Sequence, residues 1–157
     1  MTLHSSLADL QWRRMLAADI DQILAIEEQV YTHPWTRGNF EDSFNGDHEV
    51  WGLTMADGQV AAYFLTMPVL DELHLLNFAV ALPFQGQGLA RKMTVFLLER
   101  AREKAYQSVL LEVRASNERA IHVYEQSGFE PIGRRKGYYP VSSSEREDAI
   151  VMRRMCE

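Results

Sequence analysis

The order of hydrophobic and polar positions predicts three elements in the first third of the chain. Residues 11–16 are expected to form a strand, and a helix follows directly after Asp19, a residue type that commonly caps helices. Residues 36–44, between Pro34 and Gly46, are predicted to form a shorter helix. The apolar stripe of the first helix recurs at helical spacing and consists of Ile20, Ile23, Leu24 and Val30.

Apolar runs in the middle of the chain predict three consecutive strands. Residues 49–55 and 59–67 flank Asp57-Gly58, and an Asp-Gly pair between two such runs indicates a tight hairpin. Pro68 is expected to end the second strand, because proline cannot donate a hydrogen bond to a neighbouring strand. Residues 72–81 are predicted to form the third strand, which ends before Pro83.

The last part of the chain alternates between helices and strands. A helix is predicted over residues 88–106, and the nearly all-apolar residues 108–113 are typical of a strand covered on both faces. Ser116 or Asn117 is expected to cap a shorter helix that ends at Gly128, and residues 129–134 and 149–155 complete the series as strands. The hairpin at the front and the strand–helix–strand crossover at the back predict an α/β fold. Its central mixed sheet is expected to carry helices on both faces.

Composition and charge narrow the class of protein. The 157 residues are 46% hydrophobic and 24% charged, which suits one globular domain over residues 1–157, with about residues 1–9 flexible. A net charge of −6 argues against nonspecific binding to nucleic acid or to an anionic membrane, although it permits attraction to a cationic partner. The single cysteine, Cys156, excludes an internal disulfide and a cysteine-based zinc site, so a reducing cytoplasm is expected. No signal peptide and no apolar run long enough to span a membrane is found in the sequence.

Residues 83–91 join a strand to a helix and include Gly86 and Gly88. Glycines and a helix start can together turn backbone N–H groups inward to cradle phosphate, although the same glycines also suit a plain tight turn. A dinucleotide fingerprint would need a small residue in place of Arg91, and a nucleoside-triphosphate loop would need Gly-Lys-Ser/Thr. Among the phosphate-binding loops, the interpretation that remains for residues 83–91 is a short loop that binds pyrophosphate.

Two further side chains indicate chemistry near this loop. Glu112 lies inside the apolar strand, where a carboxylate is either paired, for example with Arg114, or acts as a general base. Tyr124 shares a helical stripe with Asn117 and Ile121, so it is either a core aromatic or a proton donor facing the strand of Glu112.

The pattern Gln85-x-x-Gly88-x-Ala90, after Phe78-Ala79-Val80, resembles the acetyl-CoA loop of the GNAT acetyltransferase superfamily. The resemblance implies that the strand before the loop separates from its neighbour and pairs through Phe78, Ala79 and Val80 with the pantetheine arm of acetyl-CoA. This chain departs from the superfamily at Gly86, where a basic residue is common, and at Ala90, where glycine is common. The backbone amides that would hold the pyrophosphate belong to Gly86, Gln87, Gly88, Leu89, Ala90 and Arg91.

The run from Leu111 to Asn117 is more specific and resembles the ribosomal-protein N-terminal alanine acetyltransferase family. The resemblance implies Glu112 as proton acceptor, Tyr124 as proton donor and Asn117 as a cofactor contact, in direct acetyl transfer without a metal. The implied acceptor is the N-terminal alanine of a small-subunit ribosomal protein. Acetylation of another amine and a non-catalytic CoA-binding module are the alternatives. The resemblance continues through Pro34-Trp35, Ala120-Ile121, Tyr124-Glu125, Gly128-Phe129, Tyr138-Tyr139-Pro140 and residues 146–152.

Three aromatic residues are candidates for contacts with the acceptor. Tyr138 and Tyr139 are expected in a loop between the last two strands, either as surface packing or, as the resemblance suggests, as the lining of the groove for the incoming peptide terminus. Trp35 admits the same two interpretations, either as a core anchor or as an acceptor contact.

Overall fold

The computed structural model describes residues 9–156, so the expected flexibility of about residues 1–9 concerns a segment outside the described residues, apart from Asp9. The predicted order of strands and helices is confirmed. The strands are β1 Gln11–Arg14, β2 Glu49–Thr54, β3 Val60–Val69, β4 Glu72–Val80, β5 Ser108–Arg114, β6 Glu130–Pro140 and β7 Arg146–Met155. The helices are α1 Ile20–Val30, α2 Arg37–Asn45, α3 Leu89–Glu103 and α4 Glu118–Gln126, with 3-10 turns at Ala17–Asp19 and Leu82–Phe84.

The strands form one seven-stranded mixed sheet in the order β1-β2-β3-β4-β5-β7-β6, which confirms the predicted α/β fold. Strands β1, β2 and β3 pair antiparallel, and the predicted hairpin between β2 and β3 turns at Gly58, whose φ is +91°. Strands β4 and β5 pair in parallel from Glu72 to Leu75, while β4 itself runs on to Val80. Strand β7 pairs antiparallel with both β5 and β6.

The chain forms two compact units, and the prediction of a single domain stays a prediction. The first unit contains the described residues up to Met67 together with Asn77–Leu89. The rings of Phe40 and Tyr63 contact each other edge to face in this unit, with centroids 6.2 Å apart. The fully buried side chains of this unit include Ile23, Phe40, Leu53, Tyr63, Phe64 and Leu65.

The second unit contains Pro68–Leu76 and the residues from Ala90 onward. Gly128 ends α4 at φ +91°, as predicted, and a Cβ there would lie 2.6 Å from Nε of Arg154, so glycine is required by both backbone and packing. The buried face of α3 repeats every four residues, as an amphipathic helix requires. The core of this unit includes Met93, Leu97, Ala101, Val109, Leu111, Phe129 and Met152.

Strand β6 is much longer than the sequence predicts. Residues 129–134 were expected to form it, but it extends to Pro140, so Tyr138 and Tyr139 lie in a strand rather than in a loop. The pairing with β7 is irregular between Arg135 and Tyr139, where Gly137 has a φ of +58°. The prediction of a loop is therefore wrong. The side chains of this segment are mostly exposed, so it lacks the hydrophobic pattern of a strand, but its backbone pairs with β7.

Two local predictions concern the ends of elements, and one of them is wrong. Pro68 does not end β3, which continues to Val69. Asp19 occupies the predicted N-cap position of α1, although its side chain makes no hydrogen bond to the amides of that helix. It accepts instead from the amide of Leu16 at 2.8 Å and from the guanidinium of Arg13 at 2.9 Å, which closes the preceding 3-10 turn.

Two features are absent from residues 9–156. No helix there is long and apolar enough to cross a membrane. No group of three or more potential metal-binding side chains occurs in the same part of the chain. Cys156 follows β7, is half-buried, and donates its amide hydrogen to the carbonyl of Gln107 at 2.8 Å. Burial raises the pKa of its thiol.

Candidate active site

Two glutamine side chains of the glycine loop after β4 are hydrogen-bonded to backbone carbonyls a few residues earlier in the chain. Gln85 donates to the carbonyl of Val80 at 3.0 Å, and Gln87 donates to the carbonyl of Pro83 at 3.1 Å. Gly86 and Gly88 have φ values of +75° and +83°, a region that favours glycine. The loop therefore has a defined shape, and the turn before it is anchored by the buried ring of Phe84.

The loop leads directly into α3, whose first residue is Leu89. The first amides of a helix have no partner within the helix and lie at the positive end of its dipole, so they suit a pyrophosphate. A Cβ built on Gly88 meets no atom within 4 Å, so the loop faces open space on that side. The Arg91 side chain donates to Oε1 of Gln126 at 2.8 Å, so one of its N–H groups has a partner on α4. These features fit the predicted role of Gly86–Arg91 in binding acetyl-CoA.

The end of β4 carries the residues expected to pair with pantetheine. The Phe78 amide donates to Oδ1 of Asn77 at 2.8 Å, and the hydroxyl of Tyr31 donates to the Phe78 carbonyl. A pantetheine arm that paired with Phe78 would therefore replace two side-chain hydrogen bonds, and the assignment of Phe78, Ala79 and Val80 stays a prediction.

Glu112 lies on β5 opposite Val151 of β7, with 24% of its side chain exposed. Its Oε1 lies 3.4 Å from Nε of Arg135, while its Oε2 is buried without a hydrogen-bond partner among the described residues. Arg114, the predicted partner, donates to Glu147 Oε1 and to the Pro140 carbonyl, each at 2.9 Å. Glu112 thus has an unpartnered carboxylate oxygen, which is what a proton acceptor requires.

Tyr138 and Tyr139 lie in the same cluster as Glu112. Their rings are 5.0 Å apart, with the guanidinium of Arg135 5.2 Å from the Tyr138 ring and that of Arg114 4.6 Å from the Tyr139 ring. Burial, and then the negative charge of Glu112, raise the pKa of Tyr139 to about 12, so its hydroxyl stays protonated at neutral pH. The cluster joins a carboxylate to two aromatic rings, and a role for the rings in acceptor binding stays a prediction.

Helix α4 positions Asn117 and Tyr124. Asn117 caps the helix, because its Oδ1 accepts from the amide of Ala120 at 3.2 Å, so a contact with the cofactor would fall to its amide nitrogen. Tyr124 is 7% exposed and packs edge to face on Phe129 at 5.7 Å. This packing agrees with a core aromatic, and the proposed proton transfer would use its hydroxyl.

Trp35 is held by a residue that sequence reasoning did not select. Its amide donates to Oε2 of Glu27 at 2.9 Å, and its ring lies 5.2 Å from that of Phe40. Glu27 is 2% exposed and also accepts from the hydroxyl of Tyr63 at 2.5 Å and from Nδ2 of Asn77 at 2.9 Å. The available signal was its position four residues after Ile23, which puts a carboxylate on the apolar face of α1.

Comparison with known proteins identifies the class. The profile of the acetyltransferase (GNAT) family matches residues 20–129, and the chain belongs to this family. The chain is also similar to individual enzymes of this family along most of its length. It is 37% identical over 134 residues to the [ribosomal protein bS18]-alanine N-acetyltransferase of Escherichia coli K12, covering 85% of this chain and 89% of that one. The enzyme of the same description from Haemophilus influenzae is 34% identical, with 87% and 92% covered.

A solved structure agrees with these relatives. The crystal structure of the ribosomal-protein-S18-alanine N-acetyltransferase from Escherichia coli superposes with a TM-score of 0.87 at 33% identity, covering 94% of each chain. The predicted resemblance to this group of acetyltransferases is thereby confirmed, and the chain is an acyltransferase of the GNAT type.

Proposed function

We propose that this chain transfers the acetyl group of acetyl-CoA to the N-terminal alanine of a small-subunit ribosomal protein in the cytoplasm. The observation that carries the proposal is the 37% identity with the Escherichia coli bS18-alanine N-acetyltransferase, which extends over 85% of this chain. The net charge of −6 supports it, because ribosomal proteins are commonly basic. The proposal includes no direct binding of nucleic acid or membrane.

The residues support direct attack of the acceptor on the thioester. Glu112 takes a proton from the acceptor's α-amine, whose nitrogen forms a bond to the acetyl carbon. A backbone N–H near Val80 stabilises the oxyanion that develops on the carbonyl oxygen. The bond between carbon and sulfur then breaks, and Tyr124 gives its phenolic proton to the departing thiolate. No covalent enzyme intermediate is needed, and the only cysteine, Cys156, lies at the end of the chain.

The chemistry of the acceptor favours an α-amine over a lysine. An α-amine has a pKa near 8, so roughly a tenth of it is neutral and nucleophilic at pH 7. A lysine side chain, with a pKa near 10.4, is neutral in well under ~1% of molecules at that pH. A carboxylate base such as Glu112 can therefore complete the deprotonation of an α-amine more easily than that of a lysine.

The test uses the purified chain with acetyl-CoA and three acceptors. One is a basic peptide that begins with alanine, the second is the same peptide with a blocked N-terminus, and the third is spermidine. We expect release of CoA thiol and one added acetyl group, found by mass spectrometry at the α-amine, only with the first peptide. Faster transfer to spermidine would favour a small-amine acetyltransferase, and no thiol release with any acceptor would favour a CoA-binding module without turnover.

A further inference from the structure

Glu27 is a buried carboxylate that no step of the proposed reaction uses. It lies on α1 with 2% of its surface exposed and accepts hydrogen bonds from Tyr63, Asn77 and the backbone of Trp35. All three partners are donors, and an ionised carboxylate, which only accepts, suits them. Burial of a glutamate side chain costs folding free energy unless its oxygens are hydrogen-bonded, and these three donors supply the hydrogen bonds.

One arm of this arrangement reaches the segment between α1 and α2. Glu27 holds the Trp35 amide, the Trp35 ring packs on Phe40 at 5.2 Å, and Phe40 packs on Tyr63 at 6.2 Å. The hydroxyl of Tyr63 donates a hydrogen bond to Glu27, so these four residues contact one another in a closed ring. Trp35 is therefore fixed at its backbone by Glu27 and at its ring by Phe40.

The other arm reaches the end of β4. Because the carboxylate of Glu27 accepts only, it fixes the Asn77 amide with Nδ2 toward itself and Oδ1 toward the Phe78 amide. The carbonyl of the same residue, Phe78, accepts a hydrogen bond from the hydroxyl of Tyr31, which directly follows α1. One carboxylate thus sets the position of the Trp35 backbone and the orientation of the side chain that holds Phe78.

We propose that Glu27 is a positioning residue for the acceptor peptide. It ties the Trp35 segment to the Asn77–Phe78 segment, so that both hold one arrangement when the acceptor binds. The inference rests on the proposed function, in which Trp35 contacts the acceptor. It adds a residue that touches neither the acceptor nor acetyl-CoA but controls the apparent affinity for the acceptor.

Glu27→Gln tests this role because glutamine cannot accept from all three donors. With its oxygen toward Asn77 and Tyr63, its NH₂ faces the Trp35 amide; in the other orientation, the NH₂ faces Nδ2 of Asn77. In either orientation, the hydrogen bond to Trp35 or the hydrogen bond to Asn77 is lost. We expect the KM for the alanine peptide to rise roughly 10-fold or more, the scale of a lost hydrogen bond to a charged group. The Kd for acetyl-CoA, measured by calorimetry, should rise less than the peptide KM, because the change reaches the proposed cofactor site only through the contact of Asn77 with the Phe78 amide.

Tyr63→Phe is the matched control. It removes one hydrogen bond to the same carboxylate and keeps the ring that packs on Phe40, but it changes neither the Trp35 backbone contact nor the Asn77 contact. A purely structural role predicts that both variants lower the melting temperature and leave the KM for the peptide unchanged. The positioning role predicts a raised peptide KM in Glu27→Gln but not in Tyr63→Phe.

Asn77→Ala provides a second route if Glu27→Gln does not fold. It cuts the arm to Phe78 and leaves the hydrogen bond between Glu27 and Trp35, so a smaller rise in peptide KM is expected. An unchanged peptide KM in every folded variant of Glu27 and Asn77 overturns the positioning role. A wild-type chain that does not acetylate the alanine peptide overturns the proposed function instead, and the two failures are therefore distinguished by the wild-type measurement.

Discussion

Glu112 is the residue whose surroundings bear most directly on the chemistry, since one of its oxygens faces Arg135 and the other has no partner among the described residues. Glu112→Gln keeps the shape of the side chain but cannot accept a proton. We expect kcat to fall about 10²-fold or more, with the Kd for acetyl-CoA nearly unchanged. Steady-state kinetics and calorimetry measure the two quantities, and Glu130→Gln, on the exposed start of β6, serves as control. Normal turnover in Glu112→Gln would leave Glu112 as the partner of Arg135 only.

Tyr124 allows the proton donor to be tested with the removal of a single oxygen. Thiols ionise near pH 8.5, so the CoA thiolate is a fairly stable leaving group and needs modest assistance. We expect Tyr124→Phe to lower kcat roughly 10²-fold, to alter the high-pH limb of the rate profile, and to keep the packing on Phe129. Tyr106→Phe is the control for loss of a tyrosine hydroxyl elsewhere. Wild-type turnover with an unchanged pH profile would leave Tyr124 as a packing residue and would mean that the thiolate departs unprotonated or takes its proton from water.

Single residues also mark the limit of what the sequence can predict. Glu112 could be selected because a carboxylate interrupts an apolar strand, whereas its partner could not. Arg114 is closer along the chain, but Arg135 reaches Glu112 because β7 pairs with both β5 and β6. Glu27 escaped selection because its three partners come from distant positions, and only the fold brings Tyr63 and Asn77 to it.

The cofactor loop is the element where backbone conformation and proposed function meet. Gly88 has φ +83°, which a β-branched residue rarely adopts, and a Cβ there points into open space where phosphate is proposed. We therefore expect Gly88→Val to weaken acetyl-CoA binding at least ~10-fold, about 1.4 kcal/mol, in calorimetry. Gly133→Val is a matched control, since a Cβ there also meets nothing within 4 Å but the backbone is not in the left-handed region. Equal affinity in the two variants would remove the loop from the site.

Secondary structure could be predicted wherever burial imposes a pattern. The apolar repeats of α1, α3 and β5 follow from their buried faces, and the Asp57-Gly58 hairpin follows from turn chemistry. Strand β6 is the edge strand of the sheet, and most of its side chains are exposed. Its sequence therefore has no alternation of hydrophobic and polar residues, although its backbone is hydrogen-bonded to β7. A boundary set by backbone pairing alone is invisible to hydrophobic periodicity.

At the scale of the whole molecule, the pair of Glu147 and Arg114 makes stability depend on pH. Hydrogen bonds from Ser116 and from Arg114 lower the pKa of Glu147 in the folded chain. A lowered folded pKa contributes stability that is present above the unfolded value, about 4.3, and is lost as pH falls through the folded value. Glu147→Gln should therefore lower the melting temperature at pH 7.

The expected decrease is at most roughly 2–4 °C, because a partly exposed pair contributes up to about 1 kcal/mol. Thermal melts of the wild type and Glu147→Gln should converge as the buffer is taken below pH 4. Glu125→Gln, on the exposed face of α4, provides the control. Curves that stay separated by the same interval at every pH would assign the effect to packing of the side chain rather than to its charge.

The single thiol of Cys156 has a consequence for how the purified protein behaves in air. With no second cysteine in the chain, it can be oxidised to a disulfide only with another molecule. The thiolate is the reactive form, and half-burial beside the end of β7 raises the pKa of this thiol, so little thiolate is present at neutral pH. Preparations kept without reductant should therefore remain free of covalent dimers for longer than a chain with an exposed cysteine would. A maleimide dye should react slowly but at one position, which provides a defined label for fluorescence measurements.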